Sequence, residues 1–347
     1  MIGLGTLAIP TLPLFSFDLS RVPLGLCNHS LRDMKLNARQ LIDYAIELEL
    51  DSLLINTFQP FESLDSSHLS SLRTIAGARG VSIYIGVGSI SEQSTSFSSK
   101  FGSAESLLLE GIRVAKEIGS PVVGCRIGSM EDRYSEGGID SHMKVVIKLM
   151  KSLRDQALDA GIKFAFENHC GDLRSKELLS LIQETGTDIC GALFDPANAL
   201  WAMEDPMQAL NVLGSNIVCT SVRDVAVWDS EEGATFQGTA IGEGILNFQI
   251  FIEALSKECP GVPLQLETIS NSPRTIPFLR PGFWKGFPDL SASEFADFLL
   301  LVKNGNTLDL VTPQAGISQM EFDIDLQQSE LLKSISFLRV LHNKLCI

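Results

Sequence analysis

The chain has 347 residues, a formal net charge of −15, and 45% hydrophobic against 20% charged residues. This is the balance of a soluble globular protein, long enough to bury a sizeable core within one large α/β domain. The acidic excess disfavours a nucleic-acid partner, since phosphate backbones attract Lys- and Arg-rich surfaces, although a local basic patch can coexist with a negative total.

The first stretch, MIGLGTLAIPTLPLFSF, is apolar, but it lacks a basic start and two prolines interrupt it, so a secretory signal is not expected. No uninterrupted apolar run is long enough to span a bilayer, and no membrane partner is expected. Eight short apolar or β-branched runs follow, at 22–28, 51–57, 81–87, 121–127, 162–168, 189–195, 217–224 and 262–268. Helix-like segments alternate with them, at 37–49, 65–79, 104–118, 139–160, 175–185, 204–213, 246–258 and 291–304. The order predicts a (β/α)8 barrel with parallel strands, whose near-continuous apolar runs suit strands covered on both faces. A doubly wound open sheet is the runner-up, weakened because no GxGxxG or P-loop follows the first strand. The barrel proper is expected over 20–304, within a single domain of 1–347. Residues 271–290 read as a structured loop, 305–325 as an irregular surface segment, and 326–345 as a closing helix of a C-terminal extension.

Seven cysteines, at positions 27, 125, 170, 190, 219, 259 and 346, form no CxxC or zinc-finger spacing. Several sit in strand-like runs, as buried free thiols do, which points to a reducing compartment and a cytoplasmic protein.

Three of the apolar runs end on an acid: IKFAF on Glu167, ICGALF on Asp195 and VPLQL on Glu267. Segments after strands five to seven are also the richest in polar residues and glycine, and the C-terminal face is where such barrels place a site. Carboxylates converging there suit a hard cation bound through oxygen, magnesium or manganese foremost, with zinc or cobalt as alternatives. Such a metal polarises a carbonyl and stabilises an enediolate, while a carboxylate beside it moves a proton between adjacent carbons. Taken singly, each acid could equally be a helix cap or an ion-pair partner.

The residues resemble the xylose isomerase-like TIM barrels, the sugar isomerase/epimerase superfamily. The resemblance is carried by Glu167-Asn168-His169, Asp195-Pro196-Ala197-Asn198, Ser221-Val222-Arg223-Asp224, Gly242-Glu243-Gly244 and Glu267, over roughly residues 20–270. It implies Glu167, Asp195 and Glu267 as metal ligands, with Glu167 and Glu267 also as the catalytic acid and base. Family members usually carry a metal-binding histidine where this chain has Ser221. Three readings of that departure stay open: the carboxylates and water hold the metal, the amide oxygen of Gln237 in the loop TFQGTAIGEG replaces the ligand, or the metal is lost.

His169, Asn198, Arg223, Arg126 and His29 are candidate substrate contacts. An arginine at a barrel mouth suits a carboxylate or phosphate, or else pairs with a strand-end acid such as Asp224. His68, His142 and His342 fall in helical stretches and read as surface residues. Gly242-Glu243-Gly244 reads as a turn requiring close backbone approach. Trp201, Trp228 and Trp284 sit in loops or loop edges, covering a pocket or anchoring a loop.

The function expected is a metal-dependent isomerase or epimerase acting on a small sugar or keto-sugar. A lyase built on the same enediolate (a decarboxylase of a 3-keto sugar acid, or a dehydratase) is the alternative, and a non-catalytic sugar-binding barrel a second. DNA repair of the endonuclease IV type is disfavoured by five histidines and the acidic charge. The partner expected is a small carbohydrate. The Trp284 loop and C-terminal helix are candidate contact surfaces of a homo-oligomer.

Overall fold

The computed structural model describes residues 22–345, so the apolar opening stretch and Cys346 lie outside the described residues. Eight parallel strands close around one axis. In chain order they begin with β1 (Leu24–Cys27), α1 (Ala38–Glu47), β2 (Ser52–Ile55), α2 (Ser66–Gly77), β3 (Ser82–Ser89) and α3 (Ala104–Ile118). Then come β4 (Val122–Arg126), α4 (Gly138–Ser152), α5 (Arg154–Ala160), β5 (Lys163–Glu167), α6 (Ser175–Thr185) and β6 (Cys190–Phe194). They continue with α7 (Asn198–Trp201), α8 (Pro206–Leu213), β7 (Ile217–Thr220), β8 (Asp224–Ser230) and β9 (Gly233–Thr239). The last are α9 (Phe248–Glu258), β10 (Leu264–Leu266), β11 (Arg274–Ile276), α10 (Ala292–Asn304) and α11 (Gln319–Leu345). The strand order β10-β1-β2-β3-β4-β5-β6-β7 is that of a TIM barrel. None of its helices is long and apolar enough to cross a membrane, among the described residues.

The seam between β7 and β10 closes the barrel through few bonds. Val222 N donates to Gln265 O at 2.6 Å, and Glu267 N donates to Val222 O at 2.9 Å. The Thr220 hydroxyl donates to Pro263 O and accepts from Gln265 N. That seam seats Ser221 and Glu267 side by side.

Side-chain alternation with period two decides what faces the axis. Cys27, Leu54, Val122, Ala165, Leu193 and Cys219 form a buried cluster contributed by six strands. Two residues further along three of those strands lie Glu167, Asp195 and Ser221, on the same face. The acids therefore stand directly above an apolar plug.

The chain between β7 and α9 departs from the expectation of a loop. Strand seven is only Ile217–Thr220, and β8 and β9 form an antiparallel hairpin in which Ser230 pairs with Gly233 across Glu231 and Glu232. Gln237 is thus a strand residue on β9, opposite Ala226. β11 adds a third strand, and this small sheet packs with α7, α10 and the 3-10 turn Pro281–Gly286 in a second core. The signal was there in the alternation of DVAVWDS and in a glycine after two acids, which is hairpin chemistry. Trp228 accordingly lies in β8, not in a loop.

The expected helix 139–160 divides at Leu153 into α4 and α5, and α11 starts earlier than expected, at Gln319. The Ser318 hydroxyl accepts from Glu321 N, and Ser318 N donates to the Glu321 carboxylate, a reciprocal cap that starts α11. His142 and His342 are buried, against the expectation of surface positions. His142 falls on the apolar stripe Ile139, Met143, Val146 and Met150, where Ser91 Oγ at 2.7 Å and Ser135 Oγ at 3.0 Å meet its two ring nitrogens.

Asp224 holds the Gly242-Glu243-Gly244 turn. Its carboxylate accepts from Gly242 N, Gly244 N, Leu246 N and Val225 N at 2.9–3.2 Å. A Cβ on Gly244 would stand 2.2 Å from Asp224 Oδ1 and 2.4 Å from Val225 O. Gly244→Ala should therefore lower the melting temperature by several degrees, from overpacking on the order of 1–3 kcal/mol. Gly282→Ala, with nothing within 4 Å of its Cβ, should leave the melting temperature unchanged.

On α11, burial raises the Glu330 carboxyl to about 7, with Lys333 lowering it and Glu243 raising it. An acid with a folded-state value above its unfolded one stabilises the fold when protonated. That contribution is full below about 4.5 and disappears as pH rises through about 7. Glu330→Gln should thus melt higher than the unmodified chain at pH 8, by about 1 kcal/mol after screening, and equally at pH 4.

Candidate functional site

The ends of β5 and β6 and the residue just past β10 bring Glu167, Asp195 and Glu267 together, with one oxygen of each within 4.8 Å of the others. They lie beside the floor of a cavity of about 760 Å³, which Glu167 and Glu267 line. Asp195 is fully buried and Glu267 is 6% exposed.

Each acid has its own partners. Asp195 uses one oxygen as a helix cap: Oδ1 accepts from Ala197 N at 2.8 Å and Asn198 N at 3.2 Å. Its other oxygen, Oδ2, accepts from Arg223 Nη2 at 2.6 Å. Capping and site geometry therefore coexist in one residue. The Asn168 side chain brackets the Asp195 backbone, accepting from its N–H at 2.9 Å and donating to its carbonyl at 2.8 Å. Glu167 Oε1 accepts from Asn198 Nδ2 at 3.2 Å. Glu267 accepts from the Ser221 hydroxyl at 2.9 Å and from the Cys27 thiol at 3.7 Å.

Electrostatics separates the three. Burial, then the charge of Glu267, raises the Glu167 carboxyl to about 8. Burial also raises Asp195, to about 6, against the pull of Arg223. Burial pushes Glu267 up as well, but Arg223, His29 and the Ser221 hydroxyl outweigh it and hold Glu267 below its ordinary value. Crowded carboxylates in a low-dielectric site favour ionising one at the expense of another.

Arg223 pairs with Asp195 and, at 2.8 Å, with Asn198 Oδ1. It does not pair with Asp224, which is taken by backbone amides. Arg126 ends β4 and lines the cavity; its carbonyl accepts from Ile90 N at 3.0 Å, but its guanidinium has no hydrogen bond or ion pair among the described residues. His29 and His169 line the cavity as well. Burial and then the charge of Arg126 lower the His169 ring to about 3, so the ring is neutral. Its Nδ1 faces the Gly128 carbonyl at 2.9 Å and must donate to it, which leaves Nε2 as an acceptor facing the Cys170 thiol at 3.4 Å. Asp172, not anticipated from the sequence, ties this loop down by accepting from His169 N, Leu173 N and Gly128 N. Trp201 and Phe236 meet edge to face at 5.0 Å and form an aromatic wall of the cavity. Trp284 does not line it; its Nε1 donates to Phe278 O within the second core.

Gln237 is buried with its Oε1 unpartnered. Its strand neighbours Phe236 and Gly238 line the cavity, whereas Gln237 does not, as alternation along β9 requires. The carboxylates brought together at the cluster are these three, with the Ser221 hydroxyl already engaged by Glu267. Three carboxylates so placed fit a divalent cation with an oxygen preference.

Residues 61–281 match the model of the family described as xylose isomerase-like TIM barrel. The chain belongs to that family. A curated relative, the uncharacterized protein YihM of Escherichia coli strain K12, is 28% identical over 123 residues, which cover 35% of this chain and 37% of YihM. Among solved structures, D-psicose 3-epimerase with D-tagatose from Clostridium cellulolyticum H10 is 14% identical and superposes with a TM-score of 0.58, over 91% of this chain and 99% of that one. A xylose isomerase-like TIM barrel protein from Mycobacterium smegmatis, in complex with magnesium, is 13% identical with a TM-score of 0.56, over 93% and 99%. At such identities the xylose isomerase-like barrel shares its fold with these proteins, and the reaction has to be argued from the site.

Replacing Arg223 by Met removes the only guanidinium bonded to Asp195 among the described residues. Leaving a buried carboxylate uncompensated costs about 3–5 kcal/mol, so the metal-free variant should unfold at clearly lower denaturant. Arg280→Met, which breaks an exposed pair with Glu232, should change stability by less than about 1 kcal/mol.

Proposed function

We propose that this chain is a divalent-metal-dependent isomerase or epimerase of a small sugar or keto-sugar. The observation that carries the reading is the convergence of Glu167, Asp195 and Glu267 at the floor of the cavity, with oxygens within 4.8 Å of one another. Those three residues would hold the metal, manganese or magnesium by their oxygen donors. A cation held there would supply Lewis-acid polarisation of a substrate carbonyl. Asp195, tied to Arg223 and to two backbone amides, is a fixed ligand. Glu267 is held ionised by the Ser221 hydroxyl and the nearby Arg223, which suits it to remove a proton from the carbon beside the carbonyl. Glu167, three strands away round the barrel, is the group that returns a proton. His169, which lines the cavity, is a polar group available to sugar hydroxyls, with Trp201 and Phe236 as an apolar wall. Asn198, expected as a substrate contact, is instead buried and committed to Glu167 and Arg223. The epimerase among the solved structures of this fold supports the same reaction class.

A lyase using the same intermediate is the second reading. It is favoured by Ser221, which occupies the position of the family's usual histidine and whose hydroxyl is committed to Glu267.

The test is exchange of a substrate proton with solvent. Incubated in D2O with manganese and a panel of ketoses and keto acids, the protein should incorporate deuterium beside the carbonyl of one of them, read by NMR. Glu267→Gln should slow that exchange by about 10²–10⁴-fold while still binding the ligand. Carbon dioxide release would select the lyase. Absence of both manganese binding by calorimetry and exchange on every member of the panel would sink the proposal and leave a sugar-binding barrel.

A further inference from the structure

Arg126 is a guanidinium at the strand ends of the cavity that is bonded to no carboxylate among the described residues. Three carboxylates, Glu167, Asp195 and Glu267, balance a divalent cation together with Arg223, which is bonded to Asp195 at 2.6 Å. Arg126 is then a surplus cation. It lies close enough to Glu167 and His169 for its charge to act on both, yet no described carboxylate is paired with it. Its Nε is shut off from solvent without a hydrogen-bond partner, and its side chain lines the cavity. An unpaired guanidinium next to reacting groups is expensive to maintain without an anion to receive. More cations line the same cavity towards its rim: Arg32, Lys35 and Arg274, of which Arg32 also has a buried, unpartnered Nη1. Glu62 is the only rim acid among the described lining residues. In a chain of net charge −15, so basic a cavity wall runs against the average and would draw an anionic ligand inward.

From this we infer that the substrate is an acid: a carboxylate attached beside the reacting carbons, received by the guanidinium of Arg126. A planar carboxylate matches the guanidinium fork, and its place is close to the chemistry because Arg126 ends β4 next to β5, which carries Glu167. A phosphate remote from the carbonyl would instead reach the rim cations and leave Arg126 unused. The substrate class narrows accordingly, from sugars in general to keto-sugar acids. The inference rests on the metal-site reading above, since only with a divalent cation in place does Arg126 carry surplus charge.

Three probes differing at one carbon test it: 2-keto-D-gluconate with a carboxylate at C1, D-fructose with a hydroxymethyl group there, and D-fructose 1-phosphate. Binding is measured by calorimetry on the full chain loaded with manganese, whose own binding is measured first. The keto acid should bind at least about tenfold more tightly than D-fructose, the gain of one charge-assisted hydrogen-bonded pair. Arg126→Gln should abolish that preference, so that keto acid and D-fructose then bind alike, and Arg126→Lys should restore part of it. Equal binding of keto acid and fructose, or a preference that survives Arg126→Gln, overturns the inference. So does tighter binding of the 1-phosphate than of the keto acid. Failure of manganese to bind at all is the separate outcome that defeats the metal-site reading. Circular dichroism of both Arg126 variants distinguishes lost binding from lost folding, and Arg126→Lys decides if Arg126→Gln does not fold.

Discussion

Carboxylates buried above an apolar plug are what the rest of this structure has to accommodate. Removing Asp195 and Glu267 from water, and Glu167 in part, beside Cys27, Ala165, Leu193 and Cys219 is unfavourable, and it is tolerable only if cations and donors are supplied at fixed distances. The surroundings supply them. Arg223 answers Asp195, Ser221 and Cys27 answer Glu267, and Asn198 answers both Glu167 and Arg223. Because Asn198 is shared, the acids form one connected system, and a change in any member is felt by the others.

The same requirement explains why so much hydrogen bonding is devoted to holding loops. Asn168 fixes the backbone of Asp195, Asp172 joins the turns after β4 and β5, and Asp224 gathers the turn at Gly242–Gly244. None of these side chains lines the cavity. They lock the ends of strands on which the carboxylates ride, and a site that positions a proton tolerates little displacement. The three-stranded sheet of β8, β9 and β11 completes the enclosure, bringing Phe236 opposite Trp201.

How much of this was legible in the sequence follows from the range of each interaction. Glu167, Asp195 and Glu267 were readable because a parallel strand buried on both faces is an apolar run, and an acid at its end stands out against it. The turn at Gly242–Gly244 was readable for a similar local reason. His142 was misread because its place on the apolar stripe of α4 counted for less than its polarity, whereas Ser91 and Ser135 satisfy both nitrogens from elsewhere in the chain. The hairpin carrying Gln237 is hard to see in the sequence because its short alternating run resembles a polar loop until it is paired.

Local periodicity alone was enough to specify the eight-fold alternation, the parallel barrel and the strand ends at which acids gather, since each depends on residues a few positions apart. The partners of the charges were decided only by the tertiary structure. Arg223 stands next to Asp224 in the chain but bonds to Asp195, 28 residues away, because Asp224 is turned to the backbone amides while β6 and β7 lie side by side. The guanidinium of Arg126 is left without a hydrogen bond to a carboxylate by the same geometry. Ion pairing depends on distances of a few ångströms across neighbouring strands, and those distances come into being only when the barrel closes.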